Sequence, residues 1–216
     1  MKVKKLNLFT NNLTSQKHFY CDTLSIPLNF ESETEISLKI GDSELIFTHT
    51  DNKHRNYHFA INIPFNQVSE AYDWLKSKTK ILPFHDKEIV DFKNWNAESI
   101  YFYDMNNNIV ELIARKNLGI VSNNKFDGKN FLSISEVGLP VFHLKATIEY
   151  LKLNFDLPVF DCDYERFCAV GDEEGMFIVI DSKEKKWIPN DDDAYPHEFI
   201  VEFENNGMDY NLNFEQ

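Results

Sequence analysis

Apolar and polar positions along this chain alternate, shift to a spacing of three and four, and alternate again. "KVKKLNLFT" alternates like a strand, and "LTSQKHFYCDTLSIPL" follows with aromatic and apolar positions at helical spacing. The helix is expected to stop before Pro27, because the residue ahead of a proline is pushed out of the helical region. Two extended runs come next, "EISLKIG" and "SELIFTHT", around a "GDS" turn. A second unit opens on "YHFAINIP". Its helix, "FNQVSEAYDWLKSKT", places Val68, Ala71, Tyr72 and Leu75 on one face, with Asn66 as a candidate cap. The runs "KEIVDF", "ESIYFYDM" and "NIVELIAR" close that unit as strands.

The pattern then restarts. "LKATIEYLKLNFDLPV" matches "LTSQKHFYCDTLSIPL" at an offset of 131, pairing Leu13 with Leu144, Phe19 with Tyr150 and Pro27 with Pro158. "ISEVGLPV" precedes it, and "RFCAVGD" and "GMFIVIDS" follow around "GDEEG". "HEFIVEFE" is the strand that should open a last unit, but only 19 residues follow His197, too few for a helix and three strands. The chain is therefore expected to be α+β. It divides into a first module over 1–115, a linker rich in Asn, Gly and Lys over 116–131, and a truncated second module over 132–216.

Strand alternation separates two faces. In "NIVELIAR", Val110, Leu112 and Ala114 share one side, and Ile109, Glu111, Ile113 and Arg115 the other. In "HFAINI", Phe59, Ile61 and Ile63 oppose His58, Ala60 and Asn62. In "SEVGLPV", Val137, Leu139 and Val141 oppose Glu136, Gly138 and Pro140. Each strand thus has one wholly apolar face and one that carries a single charged or imidazole group. A carboxylate in such a place must be paired, metal-bound or solvated, because burying it alone is expensive.

Composition changes the picture mainly by exclusion. The chain has 216 residues, 43% of them hydrophobic and 19 of them Phe, enough for a real core. The net charge of -13 argues against nucleic acid or an anionic membrane as partner. No apolar run approaches the roughly 20 residues of a membrane span, and "MKVKKLNLFT" lacks the apolar stretch of a secretory signal. Cys21, Cys162 and Cys168 have no metal-binding or redox spacing and read as reduced thiols of a cytoplasmic protein.

The segments "LTSQKHFYCDTLSIPL", "HFAINIP…VSEAYDWL" and "IYFYDMNNNIVELIAR" together resemble the vicinal oxygen chelate superfamily of glyoxalases, extradiol dioxygenases, fosfomycin resistance enzymes and bleomycin-binding proteins. The resemblance implies paired βαβββ units forming curved mixed sheets. It also implies metal ligands on the first strand of one unit and the first and last strands of another. Carried over, these positions are His58, Glu111 and Glu136, provided the modules pair head to tail. The other pairing would join Lys5 with His197, so one competent and one vestigial site are expected. The resemblance further implies a divalent ion (Zn, Ni, Mn or Fe), a substrate-facing Tyr101 or Tyr103 beside a catalytic Glu111, and a small oxygen-bearing substrate.

Each candidate has a plainer alternative. His58 can be a hydrogen-bonded histidine, Glu111 a solvated edge residue, and Glu136 a partner for a lysine such as Lys5. The two tyrosines can be core aromatics. Trp74, Trp95 and Trp187 can line an aromatic pocket or fill the core. Arg55, Arg115 and Lys5 are candidate anion-binding cations, and His85 and His143 read as solvated or capping residues. Two functions stay open: a metal-dependent lyase, isomerase or dioxygenase, and a non-catalytic small-molecule binder of the bleomycin-resistance type. Either would act as a monomer or homodimer.

Overall fold

The computed structural model describes residues 1–51 and 55–215. The first unit consists of β1 (Lys2–Thr10), α1 (Leu13–Lys17), β2 (Leu28–Glu31), β3 (Glu35–Ile40) and β4 (Ser43–His49). The second has β5 (His58–Asn62), α2 (Val68–Lys76), β6 (Ile81–Leu82), β7 (Val90–Phe92), β8 (Ala97–Tyr103) and β9 (Ile109–Arg115). The third has β10 (Ser133–Val141), α3 (Leu144–Phe155), β11 (Val159–Cys162), β12 (Phe167–Asp172) and β13 (Gly175–Asp181). β14 (Phe199–Asn205) and β15 (Met208–Phe214) follow.

The units pair across the modules. One sheet runs β15-β14-β1-β4-β3-β2, joining the first and last units; the other runs β11-β12-β13-β10-β5-β9-β8-β6, with β7 also on β8, joining the middle two. Within each full unit the first and last strands lie parallel, as β1 with β4, β5 with β9 and β10 with β13. The two central seams, β1 with β14 and β10 with β5, are antiparallel. Even their irregularities repeat. A bulge falls between Val3 and Lys5 in one seam and between Ile134 and Glu136 in the other, the same place at the 131-residue offset.

The apolar strand faces read from the sequence meet in one core. Leu6, Leu8 and Phe47 of one sheet pack in a cluster with Phe59, Val110, Leu112, Val137, Leu139 and Phe177 of the other. The 116–131 linker belongs to that core as well, since Trp74 packs on its Phe126 and Phe131 with ring centroids 5.4 and 6.0 Å away. The "DMNNN" turn is shaped by Asp104, whose Oδ1 accepts from the backbone N–H groups of Asn106 and Asn108 at 2.9 and 3.0 Å. Its Oδ2 accepts from Gln16 and Tyr20, which fastens the turn to the first helix.

Three local expectations are corrected. The first helix is α-helical only to Lys17 and widens to a π-turn over His18–Thr23, where Phe19 and Tyr20 enter the core. Asn66 does not cap α2; its side chain donates to the carbonyl of Ser122. Cys162 and Cys168 form a disulfide rather than reduced thiols, because they are direct cross-strand partners in β11 and β12 with Cα atoms 4.1 Å apart. Cys21 remains free. No helix among the described residues is long and apolar enough to cross a membrane.

Candidate metal centre

The outer face of the second sheet forms a cleft, and its floor carries Glu111 and Ile113 on β9, with His58 on β5 and Glu136 on β10; Arg115, next on that strand face, is buried beneath Trp95 and does not line the cavity. Parallel pairing of β5 with β9 sets Ala60 opposite Glu111 and leaves His58 diagonal to it. Antiparallel pairing of β10 with β5 sets Glu136 opposite Ala60 from the other side. A single alanine therefore separates the two carboxylates, and the imidazole lies one step along. One ligand atom from each of His58, Glu111 and Glu136 lies within 4.8 Å of the others, and all three residues are buried.

The imidazole is held by its Nδ1, 3.2 Å from the carbonyl oxygen of Ile109. A carbonyl only accepts, so Nδ1 carries the proton and Nε2 presents a lone pair. Nε2 lies 3.6 Å from Glu111 Oε2. Burial pushes His58 down to about 4, with the Ile109 carbonyl opposing. Burial, and then the nearby Glu136 carboxylate, push Glu111 up to about 8. At neutral pH the pair is therefore a neutral imidazole beside a protonated carboxyl, not an ion pair. Burial also raises Glu136, against the pull of Arg115, whose Nη2 donates to Glu136 Oε1.

A cavity of about 500 Å³ stands over these groups. Its walls include Tyr101, Trp95, Phe92, Phe167 and Ile178, with Trp187 above the imidazole. Trp187 comes from the 182–198 strap between β13 and β14, and its ring centroid is 4.9 Å from that of His58. The approach requires Gly138: a Cβ there would stand 2.9 Å from two atoms of the Trp187 ring. Tyr101 is directly opposite Glu111 across β8 and β9. Burial first, and then the Glu111 and Glu136 carboxylates, hold its phenol well above the ordinary range. Tyr103 does not line the cavity. Its hydroxyl donates to Asp192 and accepts from Asn190, fastening the strap from outside.

The other candidates disperse. Trp74 is a core residue, while Trp95 and Trp187 line the cleft. Arg55 pairs with Glu198 at 2.5 Å and Lys5 with Glu202 at 3.1 Å, so these cations do not gather at an anion site with Arg115. His85 and His143 are exposed. In the first sheet, Lys5 pairs with Glu202 as Glu136 pairs with Ala60, so Ile200, not His197, takes the place of His58. His197 precedes β14 and packs edge-on against Tyr57. The sequence reading missed the Arg115–Glu136 pair and the plugging role of Trp187. The one signal for the former was that Arg115 falls on the same strand face as Glu111.

The donor set fits a divalent cation. Ligand atoms around a first-row ion stand roughly 3–4 Å apart for bonds of about 2.1 Å, so small side-chain shifts would close the set around one ion. Two carboxylates and a neutral imidazole also suit such an ion in charge and softness.

No protein-family profile matches the chain, and no curated protein does. Solved structures do match. A candidate dioxygenase from Bacillus subtilis aligns over 83% of this chain at 12% identity with a TM-score of 0.61. This chain spans 63% of that protein's length. A lactoylglutathione lyase from Agrobacterium tumefaciens aligns over 51% of this chain and 91% of its own, at 16% identity and a TM-score of 0.44. A variant of the fosfomycin resistance protein FosX from Listeria monocytogenes, complexed with Mn(II) and 1S,2S-dihydroxypropylphosphonic acid, aligns over 53% of this chain and 90% of its own, at 20% identity and a TM-score of 0.42. The crossed pairing of βαβββ units, together with the first of these matches, gives the chain a glyoxalase/dioxygenase-like fold.

Proposed function

We propose that this protein is a divalent-metal-dependent lyase, isomerase or dioxygenase acting on a small oxygen-bearing molecule. One observation carries the reading: His58, Glu111 and Glu136, from two distant parts of the chain, bring ligand atoms within 4.8 Å of one another at the floor of a cavity. When bound, the ion supplies Lewis acidity toward two adjacent substrate oxygens. The chain's own groups do the rest. The Ile109 carbonyl orients the His58 ring so that Nε2 faces the donor cluster. The Tyr101 phenol keeps its proton and serves as a donor to Glu111 or to a substrate oxygen. Trp187 keeps water off the imidazole.

The test is elemental analysis of purified protein beside His58→Ala. The expected outcome is about one ion per chain in the wild type and loss of the ion in the variant. A folded wild type that retains no ion of any kind after incubation with Zn, Ni, Mn or Fe salts overturns the reading.

A second reading has its own support. Arg115 already compensates Glu136, and Trp95, Trp187, Phe92 and Phe167 wall the cavity. Those features suit a metal-free site that sequesters an aromatic small molecule. Ligand binding unaffected by chelation would favour it.

A further inference from the structure

The run "CDYERFC" puts a cysteine at each end of a short hairpin. Side chains alternate across its strands, so Cys162 and Cys168 share one face while their neighbours Asp161 and Phe167 share the other. The structure sets both sulfurs against the main core, Cys168 fully buried and Cys162 half-buried, and joins them in a disulfide. Asp161 and Phe167 line the cavity over the donor cluster. The disulfide is therefore the back of one cleft wall, and the residues beside it are that wall's inner surface.

That wall meets Trp95, which comes from the turn between β7 and β8 on the far side of the seam. The Trp95 indole N–H donates to Asp161 Oδ2 at 2.8 Å, and its ring centroid lies 5.3 Å from that of Phe160 and 6.2 Å from that of Phe167. β11 is the outermost strand of its sheet, and its pairing with β12 is irregular between Val159 and Asp161. Asp161 thus lies between a bulge on one side and the disulfide on the other, in an edge strand with no second neighbour to hold it. The turn beyond is secured separately, since Asp163 Oδ1 accepts from the backbone N–H groups of Glu165, Arg166 and Phe167 at 2.9, 2.7 and 2.9 Å. A closed loop this short constrains the unfolded chain less than a long one would, so the bond acts on the hairpin more than on the whole fold.

We propose that the Cys162–Cys168 disulfide is a redox-sensitive latch, which fixes the cleft wall against Trp95 and releases it on reduction by a dithiol. A thiolate of the dithiol attacks Cys162 Sγ, the more accessible sulfur, and Cys168 leaves as a thiolate that takes up a proton. The second thiol of the reductant, as its thiolate, attacks its partner sulfur in the mixed disulfide, and Cys162 leaves to be protonated in turn. Two electrons pass to the protein, and one dithiol becomes one disulfide. The hairpin stays paired through its turn, while Phe160 and Asp161 lose the fixed point that holds them on Trp95. The inference adds regulation to the proposed function and rests on it only in taking this cleft as the working site.

The test uses the wild-type chain in chelator, without metal or ligand, and dithiothreitol as the dithiol. Alkylation and mass spectrometry should find Cys21 alone modified before reduction, and Cys162 and Cys168 as well after it. The Trp95 indole N–H nuclear magnetic resonance signal, identified by its absence in Trp95→Phe, should shift on reduction and exchange with solvent about tenfold faster. Backbone amides of 159–168 should also exchange faster, those of the first sheet should not, and reoxidation should reverse both changes. Cys162→Ser combined with Cys168→Ser should match the reduced protein in either buffer. Alkylation of Cys162 and Cys168 without reduction overturns the proposal, as does a disulfide that dithiothreitol leaves intact in the folded chain. Reduction that leaves Trp95 and the hairpin amides unchanged overturns it, and so does unfolding of the whole chain on reduction, because the bond is then a staple of the fold. The wild-type measurements decide the matter where the double variant does not fold. No metal enters the test, so failure of the metal reading leaves this inference standing, and failure here leaves that reading untouched.

Discussion

The two sheets are built on one plan and end differently. Both have a central antiparallel seam with a bulge at the same place, and both have a last strand parallel to the first. In the second sheet the seam carries His58 and Glu136, with Glu111 on the next strand, and the 182–198 strap covers them with Trp187. In the first sheet the same seam carries Lys5, Glu202 and Ile200. Lys5 and Glu202 form an ion pair at 3.1 Å with 44% and 42% of their side chains exposed. A shared backbone therefore does not make a site. The covered seam turns its charges into a buried, coupled cluster, and the open seam leaves its charges to water.

The largest expected effect tests that difference in burial. Glu136→Leu leaves the Arg115 guanidinium buried without a counter-charge and should destabilise the protein by about 3–5 kcal/mol in urea unfolding. Adding Arg115→Met to it should recover most of the loss, because removing both charges removes the penalty. A single-variant loss as small as that of a surface pair would mean that the cluster is wetter than described.

Trp187→Ala comes next. It empties the space over His58 and should cost about 3 kcal/mol, less if the strap collapses inward. Faster hydrogen exchange should appear at backbone amides of 182–198 and not in the first sheet.

The pH response of metal-free protein, kept in chelator, is smaller. Glu111 stands at about 8 when folded against 4.5 when free, so its contribution to stability is full below 4.5 and lost as pH rises through 8. His58 stands at about 4 against 6.5, so its contribution is present above 6.5 and lost as pH falls through 4. Between 4.5 and 6.5 the two oppose one another. From 6.5 to 8 the Glu111 effect dominates, and stability should fall by about 2 kcal/mol. Glu111→Gln should flatten that limb. Stability rising with pH across it would contradict the assignment.

The smallest effect belongs to the open seam. Lys5→Ala removes an exposed ion pair and should change stability by about 0.5 kcal/mol or less at ordinary salt. A loss rivalling that of Glu136→Leu would erase the contrast between the two seams.

Much of this was legible before any coordinates. The order of strands and helices followed from the spacing of apolar residues, and the alternation of Val110, Leu112 and Ala114 against Glu111 assigned that strand its core face, as the buried cluster has it. His197 is not the counterpart of His58, since the strand pairing, counted through the bulge, gives Ile200 that place. The Cys162–Cys168 pair was hidden for a similar reason, since a spacing of six carries no disulfide signal until a hairpin sets the two residues face to face. Tyr103 looked equivalent to Tyr101 by parity, but the strap engages its hydroxyl outside the cavity.

By itself the sequence determined what each strand shows to either side, because a side chain's direction along a strand follows from the backbone's period of two. It also determined the order of strands and helices, through the spacing of apolar residues. Only the tertiary structure decided which strands became neighbours, which seam was covered, and that Arg115 lies under Trp95 with its hand on Glu136. Those outcomes depend on contacts between residues far apart in the chain, and burial, which sets the charge state of every group in the cleft, exists only after such contacts form.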